Sequence, residues 1–213
     1  MTLLLELFKG TGSAGKNVKK LGWDVLSVDI EEEYKPDIVE DILKLDYKKL
    51  PTPDYLWASP PCNTFSLMSL TRDKVMKHPQ RQRNSETMRP LNARARLGDR
   101  ILNKTIEIIR YFKRKNPKLR WVMENPHGAM WKSPLIKTLP PNHREKTYYC
   151  LYKDKRTKPT DFWSNVKLNL KDGSCRGTKL VAYTPPGCGR YRIPQPLLTD
   201  IFNQLRKTNA PMV

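Results

Sequence analysis

Two stretches carry side chains whose types and mounting point to chemistry. The first is Trp57-Ala58-Ser59-Pro60-Pro61-Cys62-Asn63-Thr64-Phe65-Ser66. A short apolar run from Asp54 to Ala58 reads as a buried strand that stops at two prolines. Each proline fixes its own φ and pushes the residue before it out of the helical region. The Cys62 thiol is thereby held on a stiff turn at the carboxyl end of a strand, where an open α/β sheet gathers ligands and reacting groups. A buried structural cysteine needs no such mounting, although a rigid loop with an incidental cysteine satisfies the same residues. The second stretch, Glu124-Asn125-Pro126 after the strand-like Trp121-Val122-Met123, repeats the design: a strand, a reactive side chain, a proline to hold the turn. Lys158-Pro159-Thr160-Asp161-Phe162-Trp163, after the strand-like Lys146 to Cys150, reads as a third such place.

The elements that position these turns follow from the hydrophobic pattern. Residues 3–8, Leu-Leu-Leu-Glu-Leu-Phe, form an apolar run of strand length; Gly10, Gly12 and Gly15 come next, then a helical pattern through Val18 and Leu21. Strand, glycine turn and helix start form the first unit of a nucleotide-binding sheet, since glycines let the backbone approach a ligand and a helix start offers free N–H groups. The second strand, Val25-Leu26-Ser27-Val28, ends in Asp29, where a carboxylate can grip a ribose diol or, equally, cap a following helix. Pro36 to Ile42 reads as a third strand with Asp41 near its end. Four strand ends thus present glycines, Asp29, Asp41 and Cys62, an order suited to a cofactor with adenine and ribose at one end and a reaction at the other. An amphipathic helix is expected from Leu97 to about Lys115 and a closing helix from Gln195 to about Arg206. The fold class is α/β, a mostly parallel central sheet with helices on both faces, in one domain spanning residues 1–213.

Composition narrows the partners. The chain carries 40 Lys+Arg against 21 Asp+Glu, and residues 63–120 alone hold 16 basic and four acidic residues. Such a block is the footprint of a polyanion, because lysines and arginines that neutralise phosphates release counterions. Between Asn63 and Asn92 periodicity vanishes, so this part reads as a long basic lid over Cys62. Low mean hydropathy (−0.67) and the lack of any apolar run near the roughly 20 residues of a membrane span predict a soluble protein. The four cysteines, 62, 150, 175 and 188, form no CxxC pair, which argues against a disulfide framework or a zinc site and for a reducing compartment; no metal is expected.

Phe8-Lys9-Gly10-Thr11-Gly12, Pro60-Pro61-Cys62 with Phe65-Ser66, and Glu124-Asn125-Pro126 together resemble, in order and spacing, the glycine, Pro-Cys and Glu-Asn motifs of the cytosine-C5 DNA methyltransferases. The likeness covers residues 3 to 165, and Lys158 to Asn165 with Arg192-Ile193-Pro194 is similar to compact phage and large-virus members. The resemblance implies a Rossmann-like S-adenosylmethionine-dependent methyltransferase fold. It further implies that Cys62 attacks C6 of a flipped-out cytosine in double-stranded DNA while Glu124 engages N3. By the same resemblance Phe8, Gly10, Gly12, Ser59 and Pro60 border the S-adenosylmethionine, Asp29 binds its ribose, Ile30 packs on adenine, and Asp41 with Ile42 holds the adenine edge. Arg156 and Lys158 stand nearest to the family's base-positioning arginines, whose Gln-x-Arg-x-Arg motif is absent as such. Arg72, Arg81, Arg83, Arg89, Arg94 and Arg96, within the 63–96 loop, are expected to clasp the DNA backbone. A large target-recognition domain is missing, leaving a minimal region at 162–190 and an expectation of short or relaxed specificity. A monomer acting in the cytoplasm, or in the nucleus of a eukaryotic host, fits these features. Two other readings fit the residues less fully: methylation of an RNA cytosine, and a catalytically silent nucleic-acid-binding protein.

Overall fold

The computed structural model describes residues 1–71, 82–173, 175 and 191–207. In chain order its elements are β1 (Leu3–Leu7), α1 (Ser13–Lys19), β2 (Asp24–Asp29), β3 (Ile38–Val39), β4 (Tyr55–Ala58), the two-residue strands β5 (Leu70–Thr71) and β6 (Arg83–Asn84), α2 (Ala93–Lys115), β7 (Arg120–Pro126), β8 (His143–Tyr148), β9 (Pro159–Ser164) and α3 (Gln195–Lys207). Seven strands form one sheet in the order β3-β2-β1-β4-β7-β9-β8; the first four pairings are parallel, and β9 runs antiparallel to both its neighbours. The expected mostly parallel α/β architecture is what forms.

Side-chain alternation along the central strands divides the core in two. Leu5 and Leu7 of β1, Leu56 and Ala58 of β4 and Met123 of β7 pack with Leu102, Ile106, Ile109 and Phe112 of α2. Leu4, Tyr55, Trp57 and Val122 point the other way, against Val18 of α1 and Leu197, Leu198, Ile201 and Phe202 of α3. Strands buried on both faces read as nearly continuous apolar runs, which is why the first strand was legible despite Glu6.

Several expectations are corrected. Residues 158–163 are not a third strand-end turn: Pro159–Ser164 is itself a strand, inserted between β7 and β8 with Thr160 to Ser164 all buried. The strand expected at 146–150 ends at Tyr148, and a 3-10 turn, Tyr149–Tyr152, follows. The third strand shrinks to Ile38–Val39, because the Asp37 carboxylate is taken up by the Ser27 amide and hydroxyl of β2. The long helix starts at Ala93, four residues early, since the Asn92 side chain accepts from Ala95 N at 2.8 Å and caps it. Cys150 and Cys175 form a disulfide with Cα atoms 6.1 Å apart, against the expectation that the cysteines stay reduced. The Tyr152 hydroxyl accepts from Lys171 N and the Thr147 hydroxyl donates to Lys171 O, which brings the segment carrying Cys175 onto the 3-10 turn. Most of the expected 162–190 recognition region, namely 174 and 176–190, lies outside the described residues.

Glu6 is the unusual residue of β1. It is 2% exposed, on the α1–α3 side, with the Ala14 and Gly15 amides of α1 close to its carboxyl group. A Cβ at position 15 would stand 2.5 Å from Glu6 Oε2, so only glycine admits this close approach. Burial pushes the Glu6 pKa up to about 7 from an ordinary 4.5, against the opposing pull of those amides and of Lys9 and Lys16. Below pH 4.5 the carboxyl is neutral in both folded and unfolded chains; above it the unfolded chain ionises first, so stability falls until the folded carboxyl also ionises near pH 7. The loss amounts to about 3 kcal/mol. Glu6→Gln should therefore flatten the fall in unfolding free energy between pH 4.5 and 7. Denaturant melts of both proteins across that range test this, and parallel pH profiles would contradict it.

Candidate active site

β4 and β7 lie side by side, Trp57 opposite Val122 and Ala58 opposite Met123, so the proline turn after β4 stands beside the end of β7. Glu124-Asn125-Pro126 is not the turn expected from the sequence but the last three residues of β7, paired with Phe162, Asp161 and Thr160 of β9. A buried hydrogen bond joins strand end and turn: Asn125 Nδ2 donates to Pro60 O at 2.7 Å. Cys62 is half-buried, outside the disulfide, and starts a tight turn in which Phe65 N donates to Cys62 O at 2.9 Å. That turn rests on the chain beyond Glu124, where Ala129 N donates to Phe65 O at 2.7 Å. Gly128 permits the contact, since a Cβ there would lie 2.5 Å from Phe65 O.

Glu124 is 5% exposed, and burial raises its pKa, offset in part by the nearby Lys158 charge and by Ser59 and Tyr149. Its Oε1 makes no hydrogen bond of acceptable geometry among the described residues, and neither does the Tyr149 hydroxyl. Tyr149 is fully buried, and burial together with Glu124 pushes its pKa well above 10. Buried polar atoms are nearly always paired, so two unpaired ones at the mouth of a reactive turn mark a place for a ligand's polar edge. The sequence reading missed Tyr149 by giving it to a strand; the Tyr148-Tyr149-Cys150 run carries no signal that would single it out.

The residues expected at a cofactor stand at or just beyond the carboxyl ends of β1, β2, β3 and β4. Asp29 accepts from Gly10 N (2.7 Å) through one oxygen and from Glu31 N (3.0 Å) through the other, which ties the glycine turn to the end of β2 and leaves lone pairs on both oxygens. Glu31, not Asp29, precedes the 3-10 turn Glu32–Tyr34, so the helix-cap alternative does not hold. Phe8 adopts a left-handed φ of +59° at the exit of β1, a conformation that costs about 1 kcal/mol for a residue with a side chain. Ile30 is 60% exposed beside Asp29, whereas Ile42 is buried in the α2-side core next to Asp41. Ser59 accepts from Trp57 Nε1 at 2.9 Å, and Pro60 is buried. Arg156 makes a two-pronged pair with Asp154 (2.8 and 2.6 Å), donates to Arg192 O, and lies 5.1 Å over the Tyr149 ring. Lys158 lies over the same ring at 5.1 Å, so Tyr149 links both basic residues to Glu124.

The expected DNA-clasping arginines separate into groups. Arg89, Arg94 and Arg96 are exposed; Arg72 and Arg81 lie outside the described residues. Arg83 is not a surface contact: it is 0% exposed and holds up the Cys62 turn from below. Its Nε donates to Thr64 O (2.7 Å), Nη2 to Ala95 O (3.0 Å) and Nη1 to Met88 O (3.2 Å), and its guanidinium lies 4.0 Å over the Phe65 ring. Nη1 stands 2.8 Å from Asp99 Oδ1, an ion pair poorly aligned for a hydrogen bond. The charge pattern could not separate this strut from its exposed neighbours. Arg83→Ala should cost about 3–5 kcal/mol, because it leaves the partly buried Asp99 without its cation and removes the buried donors to Thr64, Met88 and Ala95, whereas Arg89→Ala should be nearly neutral. Thermal melts check this; equal melting temperatures for the two variants would contradict it.

Comparison with known proteins follows the same lines. No protein-family model matches the chain. It is 28% identical, over 214 residues covering 96% of this chain and 89% of the other, to a protein of Frog virus 3 (isolate Goorha) described as a probable DNA (cytosine-5)-methyltransferase. Its fold is similar to that of the methyltransferase EhMeth of Entamoeba histolytica (TM-score 0.52, 12% identity, 82% of this chain) and of the Dnmt2 methyltransferase of S. pombe (TM-score 0.50, 13% identity, 88% of this chain). The chain spans 57% and 58% of the lengths of those two structures.

Proposed function

We infer that the chain belongs with the cytosine-C5 methyltransferases and methylates C5 of cytosine in double-stranded DNA. What carries the reading is the juxtaposition of the Cys62 turn with a buried, partly unpartnered Glu124; the viral relative, described as a probable DNA (cytosine-5)-methyltransferase, supports it. Cytosine C5 is a poor nucleophile until a group adds at C6. The Cys62 sulfur forms a bond to C6, and the π electrons of the 5,6 double bond move toward C5 and the N3 side of the ring. A Glu124 carboxyl whose neutral form burial favours donates its proton to N3, where negative charge develops. C5 takes the methyl group; a solvent water then removes the C5 proton, the C–H electron pair re-forms the 5,6 double bond as the C6–S bond breaks to release the Cys62 thiolate, and N3 returns its proton to Glu124. Both ring atoms lie inside a stacked duplex, so the base must first be turned out.

S-adenosylmethionine, when bound, supplies the methyl group. The residues present fit it: a strand-end carboxylate with free lone pairs at Asp29, an exposed apolar face at Ile30, and the glycine turn fixed by Gly10 N. Phe8, Gly10 and Gly12 would border its methionine part, Asp29 its ribose, Ile30 with Asp41 and the Ile42 backbone its adenine, and Ser59 and Pro60 the reacting end. Arg156 and Lys158 act through Tyr149 to hold Glu124 and the base in register. Residues 1–213 work as one catalytic domain. The 30 residues between β9 and α3 are too few for a large recognition domain that reads base edges, so the methylated site is short or loosely defined. Among the described residues no helix is long and apolar enough to cross a membrane; a protein acting on DNA works in the cytoplasm or, in a eukaryotic host, the nucleus.

Trapping tests the reading. With S-adenosylmethionine and duplexes carrying 5-fluorocytosine, where fluorine blocks the final elimination, wild type should stall as a covalent adduct and Cys62→Ala should form none. Glu124→Ala should slow single-turnover methylation about 100-fold or more. Cofactor binding without an adduct on any duplex, but with one on RNA, would replace DNA by RNA as substrate. Absence of both adduct and cofactor binding would leave a silent binding protein.

A further inference from the structure

Away from Cys62 and Glu124, a large aromatic ring and several cations are exposed together at the edge of the sheet. Trp131, in the 3-10 turn Met130–Lys132, is 43% exposed. The Arg144 guanidinium lies 4.9 Å from its ring centroid and the Lys132 ammonium 5.4 Å. Arg144 belongs to β8, which has no further strand beyond it among the described residues. Its Nη2 is fixed 2.9 Å from Oδ1 of Asp161, a carboxylate only 1% exposed that also engages His127 Nδ1 at 3.0 Å. Lys146, two residues on and opposite Asp161 in register, lies 5.7 Å over the Tyr148 ring. Along β8 the acid Glu145 alternates to the opposite face, so Lys132 and Lys146 keep their charge uncompensated by it.

This ridge is anchored on the Cys62 turn and the end of β7, as the site is. Met130 and Trp131 follow directly after Ala129, on whose amide the Cys62 loop rests, and Asp161 is the register partner of Asn125, which holds Pro60. Just after Lys132 in the chain, Ser133 and Leu135 line a groove of about 410 Å³ together with Arg89, Asp99, Arg100 and Asn103. Basic edge strands often serve only to discourage strand pairing. That purpose requires neither an exposed tryptophan nor an arginine pinned by a buried carboxylate, since pinning spends a buried acid to remove side-chain freedom before any ligand arrives.

We propose that Trp131, Lys132, Arg144 and Lys146 form a second contact for duplex DNA, gripping the backbone beside the target base. The proposal rests on the reading of the site as a DNA methyltransferase. Asp161 takes up Nη2, so the remaining donors of the Arg144 fork serve a phosphate, and the stacked tryptophan offers a flat apolar face to sugar or an unstacked base.

Equilibrium binding of a fluorescein-labelled duplex to the full chain, followed by anisotropy over a range of salt, tests it. Trp131→Ala breaks no hydrogen bond, and Arg144→Gln keeps a polar group near Asp161; each should weaken duplex binding at least about fivefold. Lys146→Glu should lower the slope of log affinity against log salt by about 1, whereas Lys20→Glu, an exposed position at the end of α1 away from the glycine turn, should leave affinity nearly unchanged. Calorimetry of S-adenosylmethionine binding should be unaltered in every variant, which shows that fold and cofactor site are intact. Wild-type duplex affinity in Trp131→Ala and Lys146→Glu, with wild type binding and methylating DNA, would overturn this contact while leaving the function standing. Failure of wild type to bind duplex while it binds cofactor would overturn both.

Discussion

Asn125 donates its side-chain amide to the Pro60 carbonyl across 2.7 Å, out of reach of solvent, and the two reactive side chains lie within two residues of that bond. Cys62 follows Pro60 by two positions and Glu124 precedes Asn125 by one. Parallel pairing of β4 with β7 brings the two strands side by side, and β7 runs on through Glu124, Asn125 and Pro126, held there by β9. Beyond Ala58 the β4 chain leaves the sheet through its proline turn, and the amide bond ties that turn to the end of β7. Breaking it would leave a buried carbonyl without its donor, at a cost of about 1–3 kcal/mol.

The same enclosure explains the chemistry and its expense. Glu124 is buried on the α1–α3 side of the sheet, with Tyr149 packed against it and Lys158 and Arg156 over the ring. Burial favours the neutral form of its carboxyl, as the proposed proton donor requires, yet Oε1 and the Tyr149 hydroxyl stay without protein partners among the described residues. Such groups lower stability and persist where a ligand completes them. Support from below is correspondingly strong: Arg83, fully buried, ties Thr64, Met88, Ala95 and Asp99 into a platform under the Cys62 turn.

Strand ends were legible in the sequence because proline and glycine act locally: Pro60, Pro61 and Pro126 stop strands wherever they occur, and an apolar run five residues long bounded by turns has few other fates. The long helix was legible from its stripe, though its first turn was not, because that depended on Asn92 reaching Ala95 N. What escaped the sequence was pairing across distance. Nothing in Thr160-Asp161-Phe162-Trp163 says that it inserts antiparallel between β7 and β8, and nothing in the basic block distinguishes Arg83, which finds Asp99, from Arg89, which stays in solvent. The Cys150–Cys175 pair likewise arises from a fold-back over 25 residues that spacing does not encode.

Single-turnover methylation of a cytosine duplex by Asn125→Ala, set beside its affinity for S-adenosylmethionine, tests most directly whether the Cys62 turn and the end of β7 make one site. The account predicts a rate lowered about 100-fold or more with cofactor affinity nearly unchanged, since misplacing a reacting group by about 1 Å is enough for such a loss. A rate equal to wild type would contradict it, showing that Cys62 and Glu124 hold their places without the bond between turn and strand.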